Sequence, residues 1–126
     1  MIKVTEIAFS CYPVTDMARA RSFYEGVLGL KPSMAHGEPG GMQWTEYEIA
    51  NGTLSLGCGA PDWKPTASGC SVGLEVGDFE AAIAHLRASA VNFHMEPFST
   101  PVCRMAFIYD PDGNAICIHK RNPEHH

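Results

Sequence analysis

Two pairs of landmarks in this chain recur at a single spacing. Asp16 and Asp78 each open a helical pattern, and they lie 62 residues apart. Asn51-Gly52 and Gly113-Asn114 each mark a turn, again 62 apart. A common offset means a unit of about sixty residues written twice. A unit that small cannot bury a full core alone, so the copies are expected to share a sheet or an interface. Residues 1–126 therefore read as one domain of two repeats, over about 1–60 and 68–122. The Pro- and Gly-containing stretch 58–69 reads as the linker.

Each copy opens with a strand. Residues 7–14 are apolar or small, while Val72, Leu74 and Val76 alternate with Ser71, Gly73 and Glu75. The second pattern has the period of a sheet with one covered face. A helix follows in each copy, capped by Asp16 or Asp78 through a backbone N–H, with Gly29 stopping the first. Met17, Ala20, Tyr24, Val27 and Leu28 form the first apolar stripe; Phe79, Ala82, Ile83 and Leu86 form the second. Each copy closes in a hairpin, through Asn51-Gly52 or through Asp110-Pro-Asp-Gly-Asn. These are residues that turn geometry alone requires. The unit is strand, helix, then two or three strands, an α+β pattern.

Composition narrows the function. The net charge is -5 and no basic stripe is present, which argues against nucleic acid. No apolar run approaches the ~20 residues of a membrane helix. The first twenty residues show no charged start followed by an apolar block, so no secretory leader is expected. Five cysteines, none at Cys-x-x-Cys spacing, argue against a disulfide framework or a structural zinc site and suit reduced thiols in a cytoplasm. The final residues, Pro123-Glu124-His125-His126, receive no functional weight.

The segment YPVTDMARARSFYEGVLGLK, residues 12–31, resembles the first strand and helix of the vicinal oxygen chelate superfamily. FIYDPDGNAICI, residues 107–118, resembles its closing hairpin. That superfamily includes glyoxalase I, bleomycin-resistance proteins and extradiol dioxygenases. The resemblance implies paired βαβββ modules in a curled mixed sheet around a cavity, helices outside, and a homodimer. Metal-dependent members draw four ligands from His, Glu and Gln on inward strand positions. The resemblance places those positions at Phe9, Ser55, Ser71 and Cys117. None is His, Glu or Gln, so no metal or other cofactor is expected.

Period-two geometry then predicts the inward face. Phe9, Cys11 and Pro13 share it in the first strand, as do Ser71, Gly73 and Glu75 in the second copy. Cys117 and His119 share it on the last strand. With the turn at Asn51-Gly52, Glu48 should lie opposite Ser55 and Glu46 opposite Gly57, with Trp44 on the same face. The offset of 62 adds Ala106 and Ile108. Phe9, Trp44, Ala106 and Ile108 would form apolar walls. Glu46, Glu48, Glu75, Ser55, Ser71, Cys117 and His119 would supply polar groups. Clustered carboxylates would repel, raising at least one pKa and attracting a cationic ligand, and Trp44 offers a ring for stacking. The loops 32–41 and 97–103 are candidates to close the site.

Each of these residues also has a plain structural explanation. Glu46 and Glu48 fit solvated strand positions, Glu75 a sheet rim, His119 a strand end, and Cys11 and Cys117 small buried fillers. Three classes of function remain open. The first, favoured here, is a metal-free protein that binds a small organic ligand, cationic or aromatic, as bleomycin-resistance proteins sequester theirs. The second is a lyase, isomerase or dioxygenase-type enzyme using Glu46, Glu48, Glu75 and His119, or a relocated metal. The third is an interaction module with a vestigial pocket.

Overall fold

The computed structural model describes residue 3 and residues 5–123. The chain forms two compact units, residues 1–65 and 66–126, each a four-stranded mixed sheet with a helix on one face. The secondary structure is α+β, and both units follow the βαβββ order expected from the repeat.

In the first unit, β1 (Ser10–Pro13) leads into α1 (Met17–Arg21), followed by β2 (Pro32–Gly37), β3 (Gln43–Ile49) and β4 (Gly52–Cys58). The sheet order is β1-β4-β3-β2, with β1 parallel to β4 and the other pairs antiparallel. Asp16 caps α1, its Oδ1 accepting from the Arg19 N–H at 3.1 Å. The helix widens into a π-helical segment (Ser22–Val27), and Gly29 follows with φ +74°. Tyr12, Leu54, Leu56, Thr45 and Tyr47 are buried on the sheet face that meets this helix. Met17, Ala20, Phe23 and Tyr24 bury the helix side. Tyr24 stacks on Tyr47 at 6.2 Å between centroids, so it is a core residue.

The second unit repeats this with β5 (Val72–Glu75), α2 (Phe79–Ala88), β6 (Phe93–Ser99), β7 (Cys103–Tyr109) and β8 (Ala115–Arg121), in the order β5-β8-β7-β6. Asp78 caps α2 by accepting from the Ala81 N–H at 3.0 Å. Ala106, Ile108, Ile116 and Ile118 are buried on the helix-facing side with Phe79, Ile83 and Leu86. Arg104 turns to that side too, lying over the Phe79 ring at 4.6 Å and 3.5 Å from Glu80. The 110–114 turn is held from within: Asp110 Oδ1 accepts from the backbone of Asp112 and Asn114, both at 2.9 Å.

Several expectations need correction. Strand β1 is shorter than 7–14, and Phe9 lies just before it. The first tight turn is Ala50-Asn51, with Ala50 at φ +51°, not Asn51-Gly52. Glu46 therefore pairs with Ser55, and Glu48 with Thr53. Ala106 and Ile108 face the helix, and Met105 and Phe107 take the opposite side. The stretch 32–41 is mostly strand β2 rather than a loop, and Pro97–Ser99 belong to β6. Glu124, His125 and His126 lie outside the described residues.

Candidate functional site

Each sheet has one face packed on its helix and one face free of it. Strand alternation sends Cys11, Trp44, Glu46, Glu48, Ser55, Glu75, Cys117 and His119 to the helix-free faces, while Ala106 and Ile108 point to the helix. In the first unit, one cross-strand row runs Cys11, Ser55, Glu46, Met34, and the next runs Pro13, Gly57, Trp44, His36. The Trp44 indole N–H donates to Glu46 Oε2 at 2.8 Å. The Phe9 ring meets Trp44 edge-on at 5.3 Å and stays about half exposed (48%). Glu48 accepts a 2.5 Å bond from the Thr53 hydroxyl and is otherwise an exposed strand residue.

Sequence periodicity gave no hint of Trp63, which lies in the linker. Its ring covers Gly57: a β-carbon there would sit 2.5 Å from Trp63 Cζ3 and 3.3 Å from Trp44 Cζ3. Phe9, Trp44 and Trp63 thus form an aromatic surface beside the Glu46 carboxylate. Between Cys11 and Glu46 in its row, the Ser55 hydroxyl is fully buried with no hydrogen-bond partner among the described residues. Burial, and then the charge of Glu46, push the Cys11 thiol up to about 12, which keeps it neutral and a poor nucleophile at physiological pH. A cavity of about 590 Å³ lies at residues 14–18, 39–41, 58–61 and 63–65 with Gln43, and Trp63 lines it as well.

In the second unit, Gly73 pairs with Cys117 and Glu75 with His119, which sets all four on one face of the sheet. Cys117 faces Phe107 across the antiparallel pair, and His119 faces Met105. His119 Nδ1 lies 2.6 Å from Glu75 Oε1, and the Arg121 backbone N–H donates to Glu75 Oε2 at 2.8 Å. Burial would raise the Glu75 pKa. The Arg121 N–H, the His119 contact and the Arg121 charge outweigh it and hold the carboxyl below its ordinary value. This is opposite to the rise expected from clustered carboxylates. Burial, with Cys103 nearby, raises the Cys117 thiol. Ser71 precedes β5 and is exposed.

The positions that hold a metal in metal-dependent relatives can be tested unit by unit. The first offers a phenyl ring at Phe9 and a buried hydroxyl at Ser55. The second offers a hydroxyl at Ser71 and a thiol that burial keeps protonated at Cys117. Divalent cations need carboxylates, imidazoles or thiolates, and these four residues do not fit one. Among the described residues, no three His, Cys, Asp or Glu side chains group as a metal would require. Nor is any helix among them long and apolar enough to cross a membrane.

With this arrangement in view, the chain belongs to the Glyoxalase/Bleomycin resistance protein/Dioxygenase superfamily, whose family model matches residues 5–118. It is similar to TnmS3, an antibiotic binding protein from Streptomyces sp. CB03234: TM-score 0.79, 25% identity, 97% of this chain and 100% of that one. A glyoxalase/bleomycin resistance protein from the same Streptomyces gives a TM-score of 0.72 at 28% identity, over 90% and 98% of the two chains. The trypanothione-dependent glyoxalase I of Leishmania major shares the fold, with a TM-score of 0.75 at 21% identity over 93% and 87%. The superfamily thus spans enzymes and binding proteins. No curated protein matches the sequence.

Proposed function

We propose that this chain is a metal-independent small-molecule-binding protein that sequesters an aromatic or cationic organic ligand. The observation that carries this reading is the Phe9, Trp44 and Trp63 surface beside Glu46. Aromatic faces attract cations and stack on planar rings, and an adjacent carboxylate adds charge complementarity. The Glu46 carboxylate supplies a polar group among these apolar walls, the composition small-molecule sites use. Similarity to an antibiotic binding protein at 25% identity supports a binder over a catalyst. The neutral Cys11 and Cys117 thiols argue against nucleophilic chemistry. We further propose one domain built of the two repeats, acting as a homodimer in the cytoplasm, where its five cysteines stay reduced.

Both tryptophans of the chain, Trp44 and Trp63, belong to this surface, so intrinsic fluorescence reports on it without background. A panel of aromatic amines and planar aromatics is titrated against the protein, and metal content is measured by elemental analysis. Saturable quenching that Trp44→Ala weakens about tenfold, with no metal above background, is the expected result; tenfold corresponds to ~1.4 kcal/mol. Stoichiometric bound transition metal, or turnover of a quenching ligand that Glu46→Gln abolishes, would overturn the reading in favour of an enzyme.

A further inference from the structure

The Glu75–His119 pair has no role in the aromatic surface of the first unit. The duplication shows that the fold does not require it. The parallel row that carries Glu75 and His119 in the second unit carries Pro13 and Gly57 in the first, at the same register of the same strand pair. A charged pair is therefore not the price of joining these strands.

Its geometry is specific. Both Glu75 oxygens are engaged, Oε1 by His119 Nδ1 at 2.6 Å and Oε2 by the Arg121 N–H at 2.8 Å. The Arg121 guanidinium stands 3.8 Å from Oε1. The carboxylate is thus spent on orienting the imidazole. An ionised carboxylate only accepts, so Nδ1 carries the hydrogen, and in the neutral ring Nε2 is left as a lone-pair acceptor. His119 is partly exposed, and no other group among the described residues bonds to its ring. Away from Glu75 and Arg121, its neighbours on this face are apolar: Met105 lies across from it, Phe98 across from Met105, and Phe107 one row along. One oriented acceptor at the edge of an apolar surface selects for a complementary donor.

We infer that the helix-free face of the second unit recognises a ligand bearing a phenolic or enolic hydroxyl, which donates to His119 Nε2 while Met105, Phe98 and Phe107 hold its apolar body. This rests on the small-molecule-binding reading and gives the chemistry of a ligand held by the second unit itself.

The test uses two fluorescent probes that differ in a single hydrogen-bond donor, 2-naphthol and 2-methoxynaphthalene, titrated against the full chain. The expected result is that 2-naphthol binds about tenfold tighter, the scale of one well-placed hydrogen bond. His119→Phe removes that preference. Glu75→Gln, which still fills the site but no longer fixes the ring, reduces the preference. Equal affinities in the unaltered protein overturn the inference and leave the binding reading standing. A preference that survives His119→Phe overturns it as well. If neither probe binds and the aromatic panel also fails, the inference and the binding reading fall together.

Discussion

Trp63 lies directly over the α-carbon of Gly57, leaving no room for a methyl group between ring and strand. This contact joins a linker side chain to the centre of a sheet. Gly57→Ala should push the indole outward, because the β-strand cannot yield. Overpacking of this kind costs about 1–3 kcal/mol. Tryptophan emission should shift to the red and the melting temperature should fall. An unchanged spectrum would place Trp63 elsewhere.

Ser55 has a buried hydroxyl without a partner. Removing an unsatisfied buried polar group relieves a desolvation cost, so Ser55→Ala should stabilise the chain by up to about 1 kcal/mol. Denaturant melts of the two proteins check the gain.

Cys11 gives the alkaline limb of the stability curve. Its folded pKa stands at about 12, raised first by burial and then by Glu46, against an ordinary value of 9.0. The unfolded chain ionises first, so stability is intact below pH 9 and falls as pH climbs from about 9 to about 12. Tyr47 acts in the same direction, its phenol raised by burial and by the bond to Glu25. Cys11→Ala should flatten part of this decline in denaturant melts at stepped pH.

Glu25 gives the acidic limb. It accepts from Arg21 Nε at 2.6 Å and from the Tyr47 hydroxyl at 2.9 Å. Burial pushes its pKa up, but these bonds and the arginine charge hold it below the ordinary value. Its contribution is present at neutral pH and is lost as pH falls through that lowered pKa. Glu25→Gln should cost about 1–3 kcal/mol at pH 7, as for hydrogen bonds to a charged group, and much less in acid.

Asn114 is almost fully buried, and its Nδ2 donates to Asp110 Oδ2 at 2.8 Å while Oδ1 accepts from the Thr66 N–H at 3.2 Å. Asn114→Ala removes a hydrogen bond to a buried carboxylate and the acceptor of the Thr66 N–H. It should destabilise by about 2–3 kcal/mol, where Asp112→Ala in the same turn should cost less. Thermal melts of the two variants make the comparison.

The sequence carried the repeat, both helix caps and most of the helix stripes, because each rests on local patterning. Register was harder, and the two errors differ instructively. Placing the first turn at Asn51-Gly52 slipped β3 against β4 by two residues. A slip of two keeps every side chain on its face, so Trp44, Glu46 and Glu48 share one side of the sheet in either register. Carrying the offset of 62 onto β7 slipped the copies by one, and a slip of one exchanges faces. Ala106 and Ile108 were therefore placed where Met105 and Phe107 stand. Trp63 was invisible because a linker has no period to read.

That single residue has a source in the structure. Cys11 and Gly73, or Ser55 and Cys117, correspond at 62, but Glu46 and Phe107 correspond at 61. The first copy holds one more residue between helix start and second strand, and its helix is the one that swells into a π-helical turn. The second copy regains the count in its longer β7–β8 turn. Helix ends and hairpin tips thus absorb changes of chain length, so the strands can exchange the chemistry they display without losing alignment. Insertions should accumulate at those two places in this lineage, and ligand preference should drift through substitution alone.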